Sequence, residues 1–409
     1  MMDMATPRPG TALKRTLSVV GDEGFRLFFP LAALHAALWP LIWVAALGFS
    51  LPLSEAVPPG FWHAHEMVVG SFGAALIGFL TTAVPEWTGT PRLRGRALFV
   101  LAVLWGTARV LGFAGHDLSI IPAGLADASW IAALLFYIVR IAIGKRISRL
   151  NAFAFWIGLF LLGELAARYA MTIANSDFAW SQRLIHLPGL IFLGVLGIAL
   201  ARITAPVTNL VLDPTQTTSP FRPHPGRLNL APGLLAVAVG GDLAGLSLAV
   251  TGYLYIAAGA AFMDRIAESF IGRQFVRAEI LALAGVSAFA GIGLMLLGLG
   301  RLGLGVSANC GLHFALMGGL GLGVLSVFSI AGLRHTGQPL GLAWQTRLAL
   351  VLASAATVMR ALPELVPTRV MPEPPYLAVS LLWASAFLLW LRVYWPFIRN
   401  PATFQPEGC

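Results

Sequence analysis

Residues 61–85 read FWHAHEMVVGSFGAALIGFLTTAVP, and this stretch decides the fold class. After its first six residues it contains no charged side chain, and it is long enough for a membrane-crossing helix, which needs about 20 apolar residues. Its opening carries His63, His65 and Glu66. Because such groups are costly in a membrane unless they are ligated, paired or hydrated, the cluster predicts a functional site. The alternative is an interfacial anchor, with Trp62 among the lipid head groups.

The composition extends this interpretation to the whole chain. With 57% hydrophobic and 11% charged residues among 409, the chain is far more apolar than a soluble domain, which is about 45–50% apolar. Long apolar stretches recur along its length. The prediction is an all-α fold, a polytopic transmembrane helix bundle of about twelve helices in a lipid bilayer. The candidate spans are 27–50, 61–85, 97–114, 118–141, 152–174, 181–204, 229–243, 245–263, 278–300, 309–333, 343–363 and 375–397.

The distribution of Lys and Arg predicts the orientation. If the N-terminus is cytoplasmic, 21 of the 27 Lys and Arg residues fall on the cytoplasmic side, three fall outside and three lie within spans. This bias predicts that both termini are cytoplasmic. The formal charge of +9 is then a topology signal and an attraction to anionic lipid. No nucleic-acid partner is predicted, because no soluble basic domain is present to bind one.

The longest hydrophilic connection divides the chain into two halves. It contains five prolines between positions 204 and 228, so it is predicted to be a cytoplasmic linker with polyproline character in which His224 is solvated. The halves show no repeat at the level of residues. The predicted segments are a cytoplasmic tail (1–26), a first six-helix half that carries the WHAHE motif (27–204), the linker (205–228), a second six-helix half (229–397) and a cytoplasmic tail (398–409).

Ionisable residues from seven helices fall in the outer halves of their spans on this topology. A charge at a helix centre costs about 2.5–3.5 kcal/mol, so a shared polar cavity on the outer side is the expected arrangement. Glu164 and Arg168 are spaced i, i+4 and can pair on one helix face. The alternative is that the carboxylates and arginines form buried ion pairs without chemistry. The residues concerned are His63, His65, Glu66, Arg109, Asp127, Glu164, Arg168, His186, His313 and Arg360.

The two histidines at the start of the second span cannot both bind the same ion if the helix is regular. His63 and His65 are about 200° apart at 3.6 residues per turn. His63, Glu66 and Met67 can share one helical face, which leaves His65 for a second partner or for the frayed first turn of the helix. The stretch therefore predicts ligands that face in two directions.

The other histidines differ in how clearly the sequence indicates a metal ligand. His313, with Cys310 three residues before it, offers a nitrogen and sulfur pair that suits copper or haem iron. His186 is either a ligand or an interfacial residue. His35 is either a hydrogen-bonded core residue or a ligand. His335 is placed as a cap at the cytoplasmic end of its helix, where a cation is favourable.

Several further motifs accompany the WHAHEM sequence at 62–67. They are FRLFFP at 25–30, GFLTTAVPEWTG at 78–89, WGTAR at 105–109, ARIT at 201–204, HFALMGG at 313–319 and HTG at 335–337. Together these motifs resemble the NnrS family of bacterial membrane proteins, and the resemblance spans nearly the whole chain.

The resemblance implies a multi-pass protein of the bacterial inner membrane with haem and copper as bound metals. It also implies a role in responding to or tolerating nitric oxide, and nitric oxide or a species derived from it is then the expected small-molecule ligand, but it does not imply a reaction. The candidate metal or haem ligands are His63, His65, His313, His186, His35 and His335. The candidate orienting or proton-carrying residues are Glu66, Arg109, Asp127, Glu164, Arg168 and Arg360.

Two other function classes compete with a metal-binding protein. A proton-coupled transporter would use Glu66, Asp127, Glu164 and Arg168 as a relay or substrate clamp without metal. An assembly or sensor subunit would use the same ion pairs only to hold the bundle together. Metal content and the visible spectrum of the purified protein distinguish the first class from the other two.

Overall fold

The computed structural model describes residues 16–49, 57–114, 117–365 and 375–403, and within these ranges the chain is helical and contains no β-strand. This confirms the all-α prediction. The principal helices are α1 (Gly24–Phe49), α2 (Pro59–Thr88), α3 (Arg96–Ala114), α4 (Asp117–Lys145), α5 (Asn151–Ile173), α6 (Phe178–Leu212), α7 (Leu230–Leu243), α8 (Leu248–Asp264), α9 (Ala278–Arg301), α10 (Ala308–His335), α11 (Trp344–Ala361) and α12 (Tyr376–Ile398).

Ten of these helices, among the described residues, are long and apolar enough to cross a membrane. The chain is therefore a multi-pass membrane protein. The predicted number of about twelve spans is confirmed for these ten only. The predicted seventh and eighth spans form α7 and α8, which have 14 and 17 residues. Both are shorter than the about 20 residues of a typical span.

Three helices occupy the centre of the bundle. In the apolar windows of α2 and α6, 89% of the residues are buried, and in that of α10 the share is 78%. No other candidate span exceeds 56%. A helix that is apolar on all sides and covered by protein belongs in a core, so α2, α6 and α10 form the core and the other helices surround it.

Two of the central helices widen into π-helical turns. Residues Glu66–Phe72 of α2 and Phe314–Gly321 of α10 have this geometry, in both cases just after the histidines that the sequence indicated. Such turns form i→i+5 bonds, change the register of the side chains and often occur at functional sites. The Trp105 indole donates a hydrogen bond of 2.8 Å to the carbonyl of Gly70 within the first of them.

The connection between the halves is shorter and more ordered than predicted. Helix α6 continues through Pro206 to Leu212, eight residues into the predicted linker. The following turn is held by Asp213, whose carboxylate accepts hydrogen bonds from Thr215 and Thr218. These donors lower the pKa of Asp213 below its ordinary value.

The two ends of the described chain lie on one face of the bundle. Arg26 is fully buried, and its guanidinium donates to the carbonyl of Ile398 at 2.7 Å and to that of Thr403 at 2.8 Å. The sequence prediction placed Arg26 in an N-terminal tail. The structure instead uses it to join the start of α1 to the segment after α12.

Candidate functional site

A cavity of about 330 Å³ lies at the end of the bundle where α2, α6 and α10 begin. We call it the histidine cavity, because each central helix contributes one imidazole to its wall. His63 comes from α2, His186 from α6 and His313 from α10. The polar and sulfur-bearing side chains of the wall, among the described residues, are His63, Met67, Gln182, His186, Asn309, His313, Met317, Arg360, Tyr376 and Ser380, together with the indoles of Trp43 and Trp383.

The ring of His313 is held in one orientation by its own helix. Its Nδ1 lies 2.7 Å from the carbonyl oxygen of Asn309. Since a carbonyl can only accept, Nδ1 carries the proton and donates, and a neutral ring then has a free lone pair on Nε2. Metal-binding histidines usually donate their other nitrogen in this way, so Nε2 of His313 is prepared for a ligand.

The ring of His63 is fixed by packing. It lies against Trp43 of α1 with ring centroids 4.4 Å apart, and the Trp43 indole is held by a 3.1 Å hydrogen bond to the carbonyl of Pro59. The Nδ1 atom of His63 is buried without a hydrogen-bond partner among the described residues. A buried polar nitrogen without a partner costs about 1–3 kcal/mol, so this orientation of the His63 ring carries a penalty that a new partner would remove.

Arg360 is the one charged side chain on the described wall of the histidine cavity. It reaches the cavity from α11, donates to Glu364 at 2.7 Å and lies over the ring of Tyr376 at 5.2 Å from the centroid. A guanidinium held in this way can also bind a carboxylate of a ligand. The cavity therefore combines three imidazoles and two thioethers with one cation.

A second cluster of polar groups lies among the first five helices. We call it the charge network, and its members are His35 of α1, His65 and Glu66 of α2, Arg109 of α3, Asp127 of α4, and Glu164 and Arg168 of α5. None of them lines the histidine cavity. Asp127 and Glu164 are 0% exposed, so their charges are compensated by protein groups rather than by water.

Asp127 joins the two arginines of the charge network. One of its carboxylate oxygens, Oδ2, accepts hydrogen bonds from Arg168, at 2.5 Å, and from Arg109. The other oxygen accepts a bond of 2.8 Å from the indole of Trp130. Arg168 also donates to Glu164 at 2.8 Å, which confirms the i, i+4 pair that the sequence suggested.

Glu66 and His65 connect α2 to this network. Arg109 lies 2.7 Å from Glu66, and the Nε2 atom of His35 lies 3.4 Å from the same carboxylate oxygen. Nε2 of His65 is 2.8 Å from Glu164, and its Nδ1 is 3.2 Å from Glu66. Both nitrogens of His65 thus have protein partners.

His65, Asp127 and Glu164 bring possible ligand atoms within 4.8 Å of one another, so their spacing would suit a metal ion. The surroundings do not favour one. Arg168 already donates to both carboxylates, and Arg109 donates to one of them. Two guanidiniums in contact with the ligands would repel a cation in a medium of low dielectric constant. We therefore assign these residues to ion pairing.

Comparison with known protein families identifies the family to which the chain belongs. The family described as NnrS protein matches residues 20–401. The chain belongs to the NnrS family. The match covers α1 to α12, with both the histidine cavity and the charge network. Comparisons with curated proteins and with solved structures find no match.

The structure of this NnrS family member divides the predicted outer cluster into two groups. His63, His186, His313 and Arg360 line the histidine cavity, whereas the other predicted residues of that level form the charge network. One shared cavity was expected from the similar depth of these groups. Depth along a helix is readable from sequence, but the direction in which each side chain points depends on how the helices are rotated.

His63, Glu66 and Met67 were predicted to share one helical face, but in the structure they do not. His63 and Met67 line the histidine cavity, but Glu66 turns towards His35 and Arg109. The π-helical turn begins at Glu66, so the regular spacing on which the expectation rested ends there.

Three further predicted candidates of the NnrS chain lie outside the histidine cavity. His35 lies between Ser71, at 2.8 Å, and Glu66, which makes it part of the charge network. His335 is at the other end of α10, about 33 Å from His313 at 1.5 Å per residue, and its ring lies 3.3 Å from Glu23. Cys310 packs in an apolar cluster, so the expected pair with His313 does not face the cavity.

Sequence reasoning did not identify several residues that shape these sites. Trp43 and Tyr376 enclose the histidine cavity, and Trp105 and Trp130 donate hydrogen bonds that support the charge network. Each lies in an apolar helix, where an aromatic residue gives no distinguishing signal. Only the pairing of helices shows what these indoles contact.

Proposed function

We propose that this NnrS family protein binds haem and copper in the histidine cavity, and that it acts in the response to nitric oxide in the bacterial inner membrane. One observation carries the proposal: the three most buried helices of the bundle each direct one imidazole to the same cavity. Three such groups are costly in a membrane unless they are ligated, paired or hydrated, and one common ligand would satisfy all three.

The donor set supports copper. Imidazole nitrogens suit copper and iron, and thioether sulfurs favour the reduced state of copper. His63, His186 and His313 supply the imidazoles, and Met67 and Met317 supply sulfur on the same wall. His313 is prepared by its bond to Asn309, and His63 has a buried nitrogen that lacks a partner among the described residues.

The same wall supports haem. Histidine and methionine are common axial ligands of haem iron, and Arg360 offers a cation to the carboxylates at its edge. Trp43, Phe72 and Trp383 supply aromatic surface for an apolar macrocycle. When bound, haem iron and copper supply one-electron chemistry and a binding position for a small molecule such as nitric oxide.

The charge network acts on the cavity through α2. Its bonds hold Glu66 and His65 on the side of α2 that faces α3 to α5, which leaves His63 and Met67 directed to the cavity. Its three carboxylates and two guanidiniums have a formal charge of −1, which one proton on His65 would balance. We propose that these residues position the helix and do not ligate metal.

The positions of the histidine cavity and of Arg26 in the bundle indicate which side of the membrane the cavity faces if the predicted orientation holds. The cavity is lined by Pro40 and Trp43 in the second half of α1, whereas Arg26 at the start of α1 contacts the end of α12. The two ends of the described chain therefore lie at the opposite end of the bundle from the cavity. With cytoplasmic termini, as the Lys and Arg bias predicts, the histidine cavity lies towards the periplasm.

The proposal is tested by metal analysis of the full-length protein. Protein purified in detergent from cells supplied with haem and copper should contain both, and its visible spectrum should show a haem Soret band that shifts when nitric oxide is added. A colourless, metal-free preparation from such cells would contradict the proposal.

The charge network gives a reason to keep one second candidate, a proton-coupled transporter. Intramembrane carboxylates and arginines mark proton or substrate paths in such proteins. In this structure, however, Glu66, Asp127 and Glu164 all have guanidinium or imidazole partners and are buried. Protein reconstituted in liposomes should therefore conduct no protons through these residues. A proton flux that Glu164→Gln abolishes would favour the transporter.

A further inference from the structure

A small, partly open gap lies between the same three central helices that form the histidine cavity. We call it the axial void. Its volume is about 40 Å³, and its wall includes Ala75 and Leu76 of α2, Phe192 and Leu196 of α6, and Gly323 and Val324 of α10. Every described side chain that lines it is apolar.

The axial void continues the histidine cavity along all three helices. On α2 the cavity wall ends at Phe72 and the void wall begins at Ala75. On α6 the corresponding residues are Gly189 and Phe192, and on α10 they are Met317 and Leu320. Each step is three residues, or about 4.5 Å along a helix.

Aromatic side chains separate the two spaces. The rings of Phe72 and Phe192 meet edge to face, with centroids 6.5 Å apart. Phe72 lines the cavity and Phe192 lines the void. These two rings therefore lie between the cavity and the void.

The lining excludes water as the natural occupant. The void exceeds the about 10–15 Å³ that one water molecule needs, but a buried water also needs two to four polar partners. The nearby hydroxyls of Ser326 and Thr81 are already bonded to carbonyls of their own helices. The apolar wall offers water no such partners, so the gap suits an apolar occupant such as xenon.

Small residues keep the void open. A Cβ atom on Gly323 would lie 2.8 Å from a methyl carbon of Leu196, so even alanine there would push Leu196 within the wall. Ala75 and Ala199 also face the void, and a larger side chain at either position would fill part of it. Close packing normally removes such gaps, because lining atoms lose dispersion contacts.

We propose that the axial void binds a small apolar gas and serves as its last stop before the histidine cavity. The size of the void admits a molecule of two or three atoms, and the apolar lining matches a gas that dissolves in the hydrocarbon of the bilayer. Only the identity of the natural gas as nitric oxide rests on the proposed function. The void and its lining do not depend on any metal.

Xenon tests the proposal directly. Crystals of the full-length protein pressurised with xenon should show an anomalous peak bounded by Ala75, Phe192 and Val324. The peak should be lost in Ala75→Val, which fills the void, and retained in Ala133→Val, which adds the same atoms to the exposed surface of α4. Val324→Ala enlarges the void and should raise xenon occupancy at the same pressure.

The enlarging variant keeps the test valid if the filled variant does not fold. A peak absent from both the natural protein and Val324→Ala, at a pressure that loads other apolar sites, would overturn the proposal, as would an ordered water in the void. Metal analysis of the same protein separates the two proposals. Metal-free protein that binds xenon contradicts only the proposed function, whereas metal-loaded protein without xenon contradicts only the axial void.

Discussion

His63 and His65 are two residues apart on α2, yet they belong to different sites. His63 lines the histidine cavity beside Trp43, and His65 lies 2.8 Å from Glu164 within the charge network. A helix turns by about 100° per residue, so neighbours at i and i+2 face nearly opposite directions. One short motif therefore supplies both a candidate ligand and the group that fixes the helix carrying it.

This division predicts different outcomes for the two histidines. His63→Ala should lower the copper or haem bound per folded protein, because it removes a donor from the cavity wall. His65→Ala should leave the metal content unchanged, since its nitrogens contact Glu66 and Glu164. Metal analysis and visible spectra of the monodisperse fraction measure both. His224→Ala, on the exposed linker, is the control, and equal metal loss in all three variants would contradict the assignment.

Removal of the positive charge of Arg360 should weaken the binding of haem more than that of copper. Arg360→Met keeps most of the side-chain volume but removes the group that can bind a carboxylate. We expect haem to dissociate several-fold faster on transfer to apomyoglobin, with copper content retained. Arg183→Met, near the start of α6 but outside the cavity lining, provides the control. Unchanged haem transfer in Arg360→Met would exclude the carboxylate contact.

Asp127 should be the most sensitive position of the charge network. Asp127→Asn keeps the shape of the side chain but removes the charge shared by Arg109 and Arg168. Loss of one partner from a buried ion pair costs about 3–5 kcal/mol, so the melting temperature of the detergent-solubilised protein should fall clearly. The same change at exposed Asp177 should leave it nearly unchanged. Equal stability of both variants would show that the network is hydrated.

Gly70 is required by close approach rather than by backbone conformation. A Cβ atom there would lie 2.7 Å from the ring of His35 and 2.8 Å from the guanidinium of Arg109. Gly70→Ala should therefore destabilise the protein by about 1–3 kcal/mol, the usual cost of overpacking. Gly60→Ala has nothing within 4 Å and should be neutral in the same thermal denaturation assay. A stable Gly70→Ala variant would mean that α1 and α3 move apart easily.

Labelling of single cysteines tests the orientation. In a Cys310→Ala, Cys409→Ser background, Thr217→Cys lies on the connection between the halves, and Ser176→Cys lies on the exposed turn between α5 and α6. The Lys and Arg bias predicts that a membrane-impermeant maleimide reaches only Ser176→Cys in intact spheroplasts. Labelling of Thr217→Cys without lysis would reverse the orientation and place the histidine cavity towards the cytoplasm.

Much of the fold was determined by local sequence alone. Apolar stretches of sufficient length specify helices in a membrane, because the bilayer offers backbone groups no partners outside the helix. This is why ten predicted spans appear, nine of them within a few residues of the expected bounds and α6 eight residues longer at its end. The pair of Glu164 and Arg168 was predictable for the same reason, since i, i+4 neighbours meet within one helix.

The sites depended on the packing of several helices. That α2, α6 and α10 occupy the centre follows from which apolar faces fit together, and nearly all faces of these helices are apolar. The π-helical turn at Glu66 then separates it from His63, and Arg109 and Arg168 meet on Asp127 only because α3, α4 and α5 are neighbours. The sequence by itself determined which residues carry polar chemistry and at what depth. Only the tertiary structure decided their partners, because the direction of a side chain depends on how each helix is rotated against the next.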